Sequence, residues 1–250
     1  MYIDTRLLES VTNGDLSAVR QCVESVADIN AVNKDDETAL MIASKMGYLE
    51  IVKYLVENDF EVNARVIFGN ETALILASQY GHLKTVKFLI SKGADKNAQD
   101  YSGFTALMWA SVRGYFEIVQ CLVEYGANAN IINRDGWTAL EMSKTDEIWE
   151  YLSQITNNIN KNHALINFAI NGNLEKFKYF LEQGANINAT SSCGYTSLML
   201  ASKYRYLDIL KYLVDNGADM NIRDRYGKTA LNYSRADEIR EFLIRNGARE

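Results

Sequence analysis

The stretch from Gly103 to Asn130, GFTALMWASVRGYFEIVQCLVEYGANAN, decides the fold, because it encodes two short amphipathic helices and the turn between them. Thr105 precedes the first apolar residues, where its hydroxyl can accept a hydrogen bond from a free N–H of the first helical turn. Gly114 and Gly126 are placed to end the two helices, because glycine readily adopts the left-handed conformation. Two helices this short cannot bury their apolar sides alone, so the chain must supply neighbours.

The same pattern returns along almost the whole chain of 250 residues. Aligned on the capping position, the copies start at Thr5, Thr38, Thr72, Thr105, Thr138, His163, Thr196 and Thr229, with steps of 33, 34, 33, 33, 25, 33 and 33 residues. Two well-matched copies read TALMIASKMGYLEIVKYLVE and TALILASQYGHLKTVKFLIS. A period of 33 residues with two helices and a glycine turn resembles the ankyrin repeat.

The resemblance covers essentially the whole chain and implies an all-α fold. It implies an ankyrin-repeat solenoid of helix-turn-helix units with β-hairpin-like finger loops between them. The first helix departs from the family's usual Thr-Pro-Leu-His opening, because Ala follows the capping Thr and an apolar residue takes the His place. Those apolar residues are Met41, Ile75, Met108 and Met199.

The repeats divide the chain into two arrays. Residues 1–160 hold repeats one to five: an N-terminal cap, three full repeats and a shortened fifth. Residues 161–250 hold repeats six to eight: a start without a finger, one full repeat and a shortened C-terminal cap. The fifth and eighth repeats each lack three residues between their helices. Two arrays fused end to end would explain this, but we favour stacking as one continuous solenoid, since three repeats are near the minimum for stability.

Local departures lead to further expectations. An Asn recurs at one finger position, where its side chain can bond nearby backbone and hold the turn. These residues are Asn30, Asn63, Asn97, Asn130, Asn188 and Asn221. One extra residue before Thr72 predicts a bulged finger, and His163 is predicted to be a poor helix cap. Cys22 and Cys121 take matching positions on second helices, where we expect them to be buried as small apolar residues.

Nothing in the sequence indicates catalysis. His82 follows Gly81 as a turn residue, and neither His82 nor His163 has partners at metal-ligand spacing. No phosphate-binding glycine loop is present. We expect no enzymatic activity, no cofactor and no metal.

Charge and hydropathy exclude two classes of partner. The net charge of −6 disfavours nucleic acid and anionic membranes. The sequence contains no run of 18 apolar residues, so no membrane-spanning helix is predicted. The N-terminus shows no signal-peptide pattern. We expect a location in the cytoplasm, and we expect the chain to be a monomer.

The resemblance implies that a partner protein binds on the concave face, built from finger tips and the exposed side of each first helix. Aromatic residues and Arg at those positions are typical of binding hot spots. The predicted contact residues are Tyr80, Tyr101, Phe104, Trp109, Arg113, Arg134, Trp137, Tyr195 and Tyr204. Trp109 could instead pack between first helices, as Ile42 and Leu76 are expected to do. Small-ligand or nucleotide binding at finger tips and helix N-termini, and a structural spacer, are the alternative functions.

Overall fold

The computed structural model describes residues 2–25, 27–65, 69–156, 161–191 and 193–249. Within these ranges the chain forms fifteen helices and no strand, and the fingers contribute only the isolated bridges Val32–Thr38 and Thr190–Thr196. The expected all-α architecture of helix pairs is therefore confirmed. The chain forms two compact units, Met1–Asn157 and Asn158–Glu250, and each is described by itself.

The first unit contains nine helices in its described part. They are α1 (Tyr2–Thr12), α2 (Leu16–Glu24), α3 (Ala39–Met46), α4 (Leu49–Glu57), α5 (Ala73–Gln79), α6 (Leu83–Ser91), α7 (Ala106–Arg113), α8 (Phe116–Glu124) and α9 (Asp146–Ile155). The first helices α1, α3, α5 and α7 contact one another in order, and the second helices α2, α4, α6 and α8 do the same. Each pair thus buries its apolar side against the next pair.

The second unit follows the same arrangement. Its helices are α10 (Lys161–Asn171), α11 (Leu174–Glu182), α12 (Ser197–Tyr204), α13 (Leu207–Asp215), α14 (Ala230–Tyr233) and α15 (Asp237–Arg245). The first helices α10, α12 and α14 stack in order, and α11 contacts α13.

Helix starts and the core follow the repeat. The hydroxyl of Thr105 accepts a hydrogen bond from the N–H of Met108 at 3.2 Å, and Thr38, Thr72 and Thr196 cap their helices in the same way. The Leu two residues after each cap, as at Leu107, is almost fully buried. Burying one such side chain contributes about 1.5–3 kcal/mol. Cys22 and Cys121 are buried as expected.

Two predicted capping residues do not cap. Thr5 lies inside α1 and His163 inside α10, because those helices begin earlier, at Tyr2 and Lys161. The residues just before them are helical, whereas an N-cap residue must itself be extended. The prediction that His163 takes the capping position, as a poor cap, is therefore wrong.

The fifth repeat loses its first helix. Residues 139–142 form turns, and the buried Glu141 carboxylate accepts hydrogen bonds from the N–H and the hydroxyl of Thr138 at 2.8 and 3.0 Å. In the eighth repeat, which carries the same deletion, the first helix α14 keeps only four residues. Three residues fewer leave too little chain for two full turns before the second helix must begin.

The recurring finger Asn connects neighbouring repeats. Asn63 Oδ1 accepts a hydrogen bond from the Asp95 N–H at 2.8 Å, and Asn97 Oδ1 accepts one from the Asn128 N–H at 2.8 Å. Asn188 and Asn221 act in the same way. The turn itself is held by the residue two positions earlier, whose side chain accepts from the Asn backbone N–H. For these four Asn side chains, the predicted turn role is therefore corrected to a link between repeats.

Aromatic rings and hydroxyls make further links. His82 Nε2 lies 2.8 Å from the Lys45 carbonyl oxygen, and a Cβ at Gly47 would lie 2.4 Å from the His82 ring. Ser202 donates its hydroxyl to the Ala230 carbonyl at 2.8 Å. The equivalent hydroxyls of Ser44, Ser78 and Ser111 are buried without a hydrogen-bond partner in the described part of the chain.

The finger before Thr72 is partly described. Asn70 adopts a left-handed conformation with φ of 54° and donates its side-chain amide to the Gln99 carbonyl at 2.7 Å. Residues 66–68, on which the predicted bulge also falls, lie outside the described residues.

Candidate functional site

The finger loops are shaped by one side chain placed five residues before the capping position. Asp100 Oδ1 accepts hydrogen bonds from the N–H groups of Ser102 and Phe104, both at 2.9 Å. Equivalent bonds are accepted by Asn33, Asn133, Ser191 and Asp224. This arrangement positions the residue just before each cap, where Phe104, Trp137 and Tyr195 stand.

Three of the predicted contact residues lie together on α7 and the finger before it. The second oxygen of Asp100 accepts a hydrogen bond from Trp109 Nε1 at 2.9 Å. The rings of Phe104 and Trp109 lie 4.8 Å apart at 34°, and the Arg113 guanidinium lies 5.6 Å from the Trp109 ring centre. We call Phe104, Trp109 and Arg113 the tryptophan cluster.

Trp109 is less buried than its aliphatic counterparts on the other first helices. Ile42 and Leu76 are 4% and 2% exposed, whereas Trp109 is half-buried. The indole N–H explains the difference, because a buried donor needs a partner and Asp100 supplies one at the edge of the finger. The Trp109 ring is therefore held at the edge of the finger, and its role as a partner contact stays a prediction.

Neighbouring fingers carry a second aromatic contact. Tyr101 is 62% exposed, and the Arg134 guanidinium lies 4.1 Å from the centre of its ring. The backbone joins these fingers as well, since the Arg134 N–H donates to the Ser102 carbonyl at 3.0 Å. Trp137, at the position equivalent to Phe104 in the next repeat, is half-buried.

The earlier repeats present carboxylates at the equivalent position. Glu37 pairs with Lys45 at 2.7 Å, and that cation lies 5.9 Å from the exposed ring of Tyr80. Burial, followed by the nearby charges of Asp100 and Glu37, raises the pKa of Glu71 above its ordinary value. The face is therefore acidic at one end and aromatic towards the fourth repeat.

Tyr195 and Tyr204 belong to the second unit. Tyr195 makes an edge contact with Tyr233 at 5.4 Å, and the Tyr233 hydroxyl donates to Asp224 Oδ2 at 2.5 Å. Burial and this bond to a carboxylate raise the pKa of Tyr233. Lys203 lies 5.3 Å from the Tyr195 ring centre and 5.6 Å from that of Tyr204.

Two features of the fingers and first helices were not predicted from the sequence. One is a groove of about 740 Å³ lined by α1, α3 and the finger before Thr38, with Val32 and Met46 exposed at its walls. The other is the pairing of a finger Asp with a donor nine residues later, as in Asp100 with Trp109 and Asp224 with Tyr233. The sequence does contain a signal for this pairing. A finger with Asp at this position has Trp or Tyr nine residues later, whereas a finger with Asn has the apolar Ile42 or Met142 there.

The described residues offer no group of three or more His, Cys, Asp or Glu side chains that could hold a metal ion. Among them, no helix is both long and apolar enough to cross a membrane. The His82 ring is engaged with backbone, as noted above, and His163 Nδ1 lies 3.2 Å from the Asn167 side chain.

The stacked helix pairs, glycine turns and finger loops define a repeat protein of the helical solenoid class. Models of ankyrin repeats match residues 7–100, and again 89–143 and 181–234. The chain belongs to the ankyrin repeat family. Proteins of this family are generally protein–protein interaction modules and are typically non-enzymatic scaffolds.

Two relatives illustrate the similarity. An ankyrin repeat-containing protein of Schizosaccharomyces pombe is 41% identical over 64 residues, 26% of this chain and 31% of that protein. A putative ankyrin repeat protein of fowlpox virus is 41% identical over 59 residues, 24% of this chain and 31% of that protein. The chain matches less than a third of the length of either relative.

Proposed function

We propose that this chain is a non-catalytic module that binds a partner protein on the concave face formed by finger loops and first helices. The tryptophan cluster is the observation that carries the proposal. At a position where other repeats bury an aliphatic side chain, this repeat keeps a large ring near the surface. Aromatic and Arg side chains dominate binding hot spots, so such a cluster suits the centre of an interface.

The cluster is also preorganised. The Asp100 bond and the Phe104 contact hold the indole before a partner arrives, so little side-chain entropy remains to be lost on binding. Tyr80, Tyr101, Arg134 and Trp137 extend the proposed surface in this unit. Tyr195 and Tyr204 are the proposed contacts of the second unit.

The chain is proposed to act as a monomer in a reducing compartment such as the cytoplasm. Cys22, Cys121 and Cys193 are free thiols, which suits such a compartment.

The test compares partner capture from a lysate of the source organism by the wild type and by the variant Phe104→Ala/Arg113→Ala/Trp137→Ala. The change leaves Trp109 and its Asp100 bond in place, so the melting temperature should change little. We expect the captured protein to be lost. A matched control changes Lys87, Phe88 and Tyr125 to Ala, because these residues lie on or at the end of second helices. Capture that survives in the first variant, or is lost equally in the control, would show that the surface is assigned wrongly.

A further inference from the structure

The two units differ in charge. Residues 158–250 carry 13 Lys and Arg against 10 Asp and Glu, which is a net charge of +3. Residues 1–157 carry 13 Lys and Arg against 22 Asp and Glu, which is a net charge of −9. The net charge of −6 for the whole chain therefore conceals a cationic unit, and such asymmetry indicates distinct binding preferences.

Two lysines of the second unit lie beside tyrosine rings. Lys203, at the end of α12, lies over both Tyr195 and Tyr204, as described above. Lys228 lies 5.6 Å from the ring centre of Tyr233, which itself contacts Tyr195. We call Tyr195, Lys203, Tyr204, Lys228 and Tyr233 the lysine–tyrosine surface. The exposed Arg205 and Arg225 flank it in sequence.

Neither of these two lysines is held in an ion pair within the described part of the chain. Neither Lys203 nor Lys228 has an Asp or Glu oxygen within the 4.0 Å of an ion pair in that part of the chain. The acidic residue of this finger, Asp224, is buried and accepts hydrogen bonds from two backbone N–H groups and from Tyr233. Its charge attracts Lys228 without forming an ion pair with the Lys228 ammonium. Lys45 of the first unit differs, since Glu37 holds it at 2.7 Å.

We propose that the lysine–tyrosine surface binds an acidic, extended segment of a partner protein. The inference rests on the proposed function as a protein-binding module and names the chemistry of the segment that the second unit recognises. A lysine ammonium carries three donors, so it can keep its ring contact and still bind a carboxylate. The tyrosine rings offer apolar area to the methylene groups between the carboxylates.

Charge separates this occupant from a nucleic acid. A polyphosphate chain gains its affinity from many phosphate contacts, and this surface offers only two lysines to make them. A short acidic segment needs to reach only the cations of this surface.

The test measures fluorescence polarisation of a fluorescein-labelled peptide of alternating Glu and Ala with the full chain. We expect binding that weakens as salt is added, and no binding of the matched peptide of alternating Gln and Ala. The variant Lys203→Gln/Lys228→Gln should weaken binding roughly tenfold, because two charge contacts at the surface are lost. The control Lys211→Gln/Arg245→Gln makes the same charge change on second helices and should leave binding unchanged.

Several results would overturn the proposal. They are no measurable binding of the Glu peptide, equal binding of the Gln peptide, or equal weakening in both double variants. Tighter binding of an oligothymidylate of the same length, or of phosphatidylserine vesicles, would assign the surface to a different anion. The Phe104, Arg113 and Trp137 variant separates this inference from the proposed function, because it should lose partner capture and retain the Glu peptide.

Discussion

The bond between Asp100 and Trp109 can be tested by replacing Asp100 with Asn. The carboxylate uses one oxygen for the N–H groups of Ser102 and Phe104 and the other for the indole N–H. Asn keeps the first oxygen but turns an amide NH₂ towards the indole, so two donors face each other. A hydrogen bond to a charged group contributes about 1.5–3 kcal/mol. Since Trp109 is half-buried, we expect a loss near the lower end, about 1.5 kcal/mol of unfolding free energy.

The chain itself provides the compensating change. Asn33 and Asn133 occupy the same finger position and accept the same two backbone N–H groups. The residues nine positions later, Ile42 and Met142, carry no donor. Asp100→Asn should therefore cost less than about 0.5 kcal/mol when Trp109 is already Ile, which gives a coupling energy of about 1 kcal/mol or more.

The measurement is a double-mutant cycle by urea unfolding of the wild type, both single variants and the double variant. The four transitions must share one slope, so that shifts in midpoint report stability. An Asp100→Asn cost that is the same with Trp and with Ile at position 109 would refute the reasoning, because the carboxylate would then act through the finger backbone alone. A cost below about 0.5 kcal/mol in the wild-type background would refute it too.

Three further perturbations test other contacts. Gly47→Ala should lower the melting temperature more than Gly217→Ala does. Both positions have positive φ, but only the Cβ added at position 47 meets a ring, that of His82. Equal decreases in melting temperature would show that the positive φ alone causes the loss. Ser202→Ala should cost about 1 kcal/mol by removing a bond between repeats, whereas Ser78→Ala should be neutral or stabilising in urea unfolding; a larger loss at Ser78 would contradict this. Glu71→Gln should stabilise the fold at neutral pH, because the pKa of Glu71 is raised in the folded state. The contribution of Glu71 to wild-type stability is then full below about pH 4.5 and is lost as pH rises through the raised pKa. A stability gain of the Gln variant that is as large in acid as at neutral pH would contradict the raised pKa.

Much of the fold follows from local chemistry that the sequence displays directly. A capping Thr, an apolar stripe at helical spacing and a glycine that can adopt positive φ specify each helix pair without reference to the rest of the chain. Thr105 and Gly114 show this, because both take the predicted cap conformations. Their repetition at 33 residues makes stacking the only way to bury those stripes, so the class of fold was predictable.

Alignment of the repeats predicted the helix caps wrongly where the neighbouring residues differ from those of the other repeats. Thr5 and His163 align with the caps but lie within helices, because the residues before them are helical rather than extended. The recurring finger Asn was predicted to be structural, but the backbone group that its side chain binds was not predicted. That group belongs to the next repeat, about 31 residues later, as the bond between Asn97 and Asn128 shows. Pairwise spacing within one repeat cannot reveal such a contact.

The sequence by itself determined that this chain is a stack of helix pairs and which positions could carry a binding surface. Only the tertiary structure decided what those positions do. Trp109 could have been buried like Ile42, and it lies near the surface because its N–H needs an acceptor and the folded finger brings Asp100 within 2.9 Å. Likewise, the folded second unit places Lys203 over two tyrosines and leaves Asp224 turned to Tyr233. Periodicity reports burial averaged over repeats, whereas these individual contacts depend on three-dimensional distances between loops and helices.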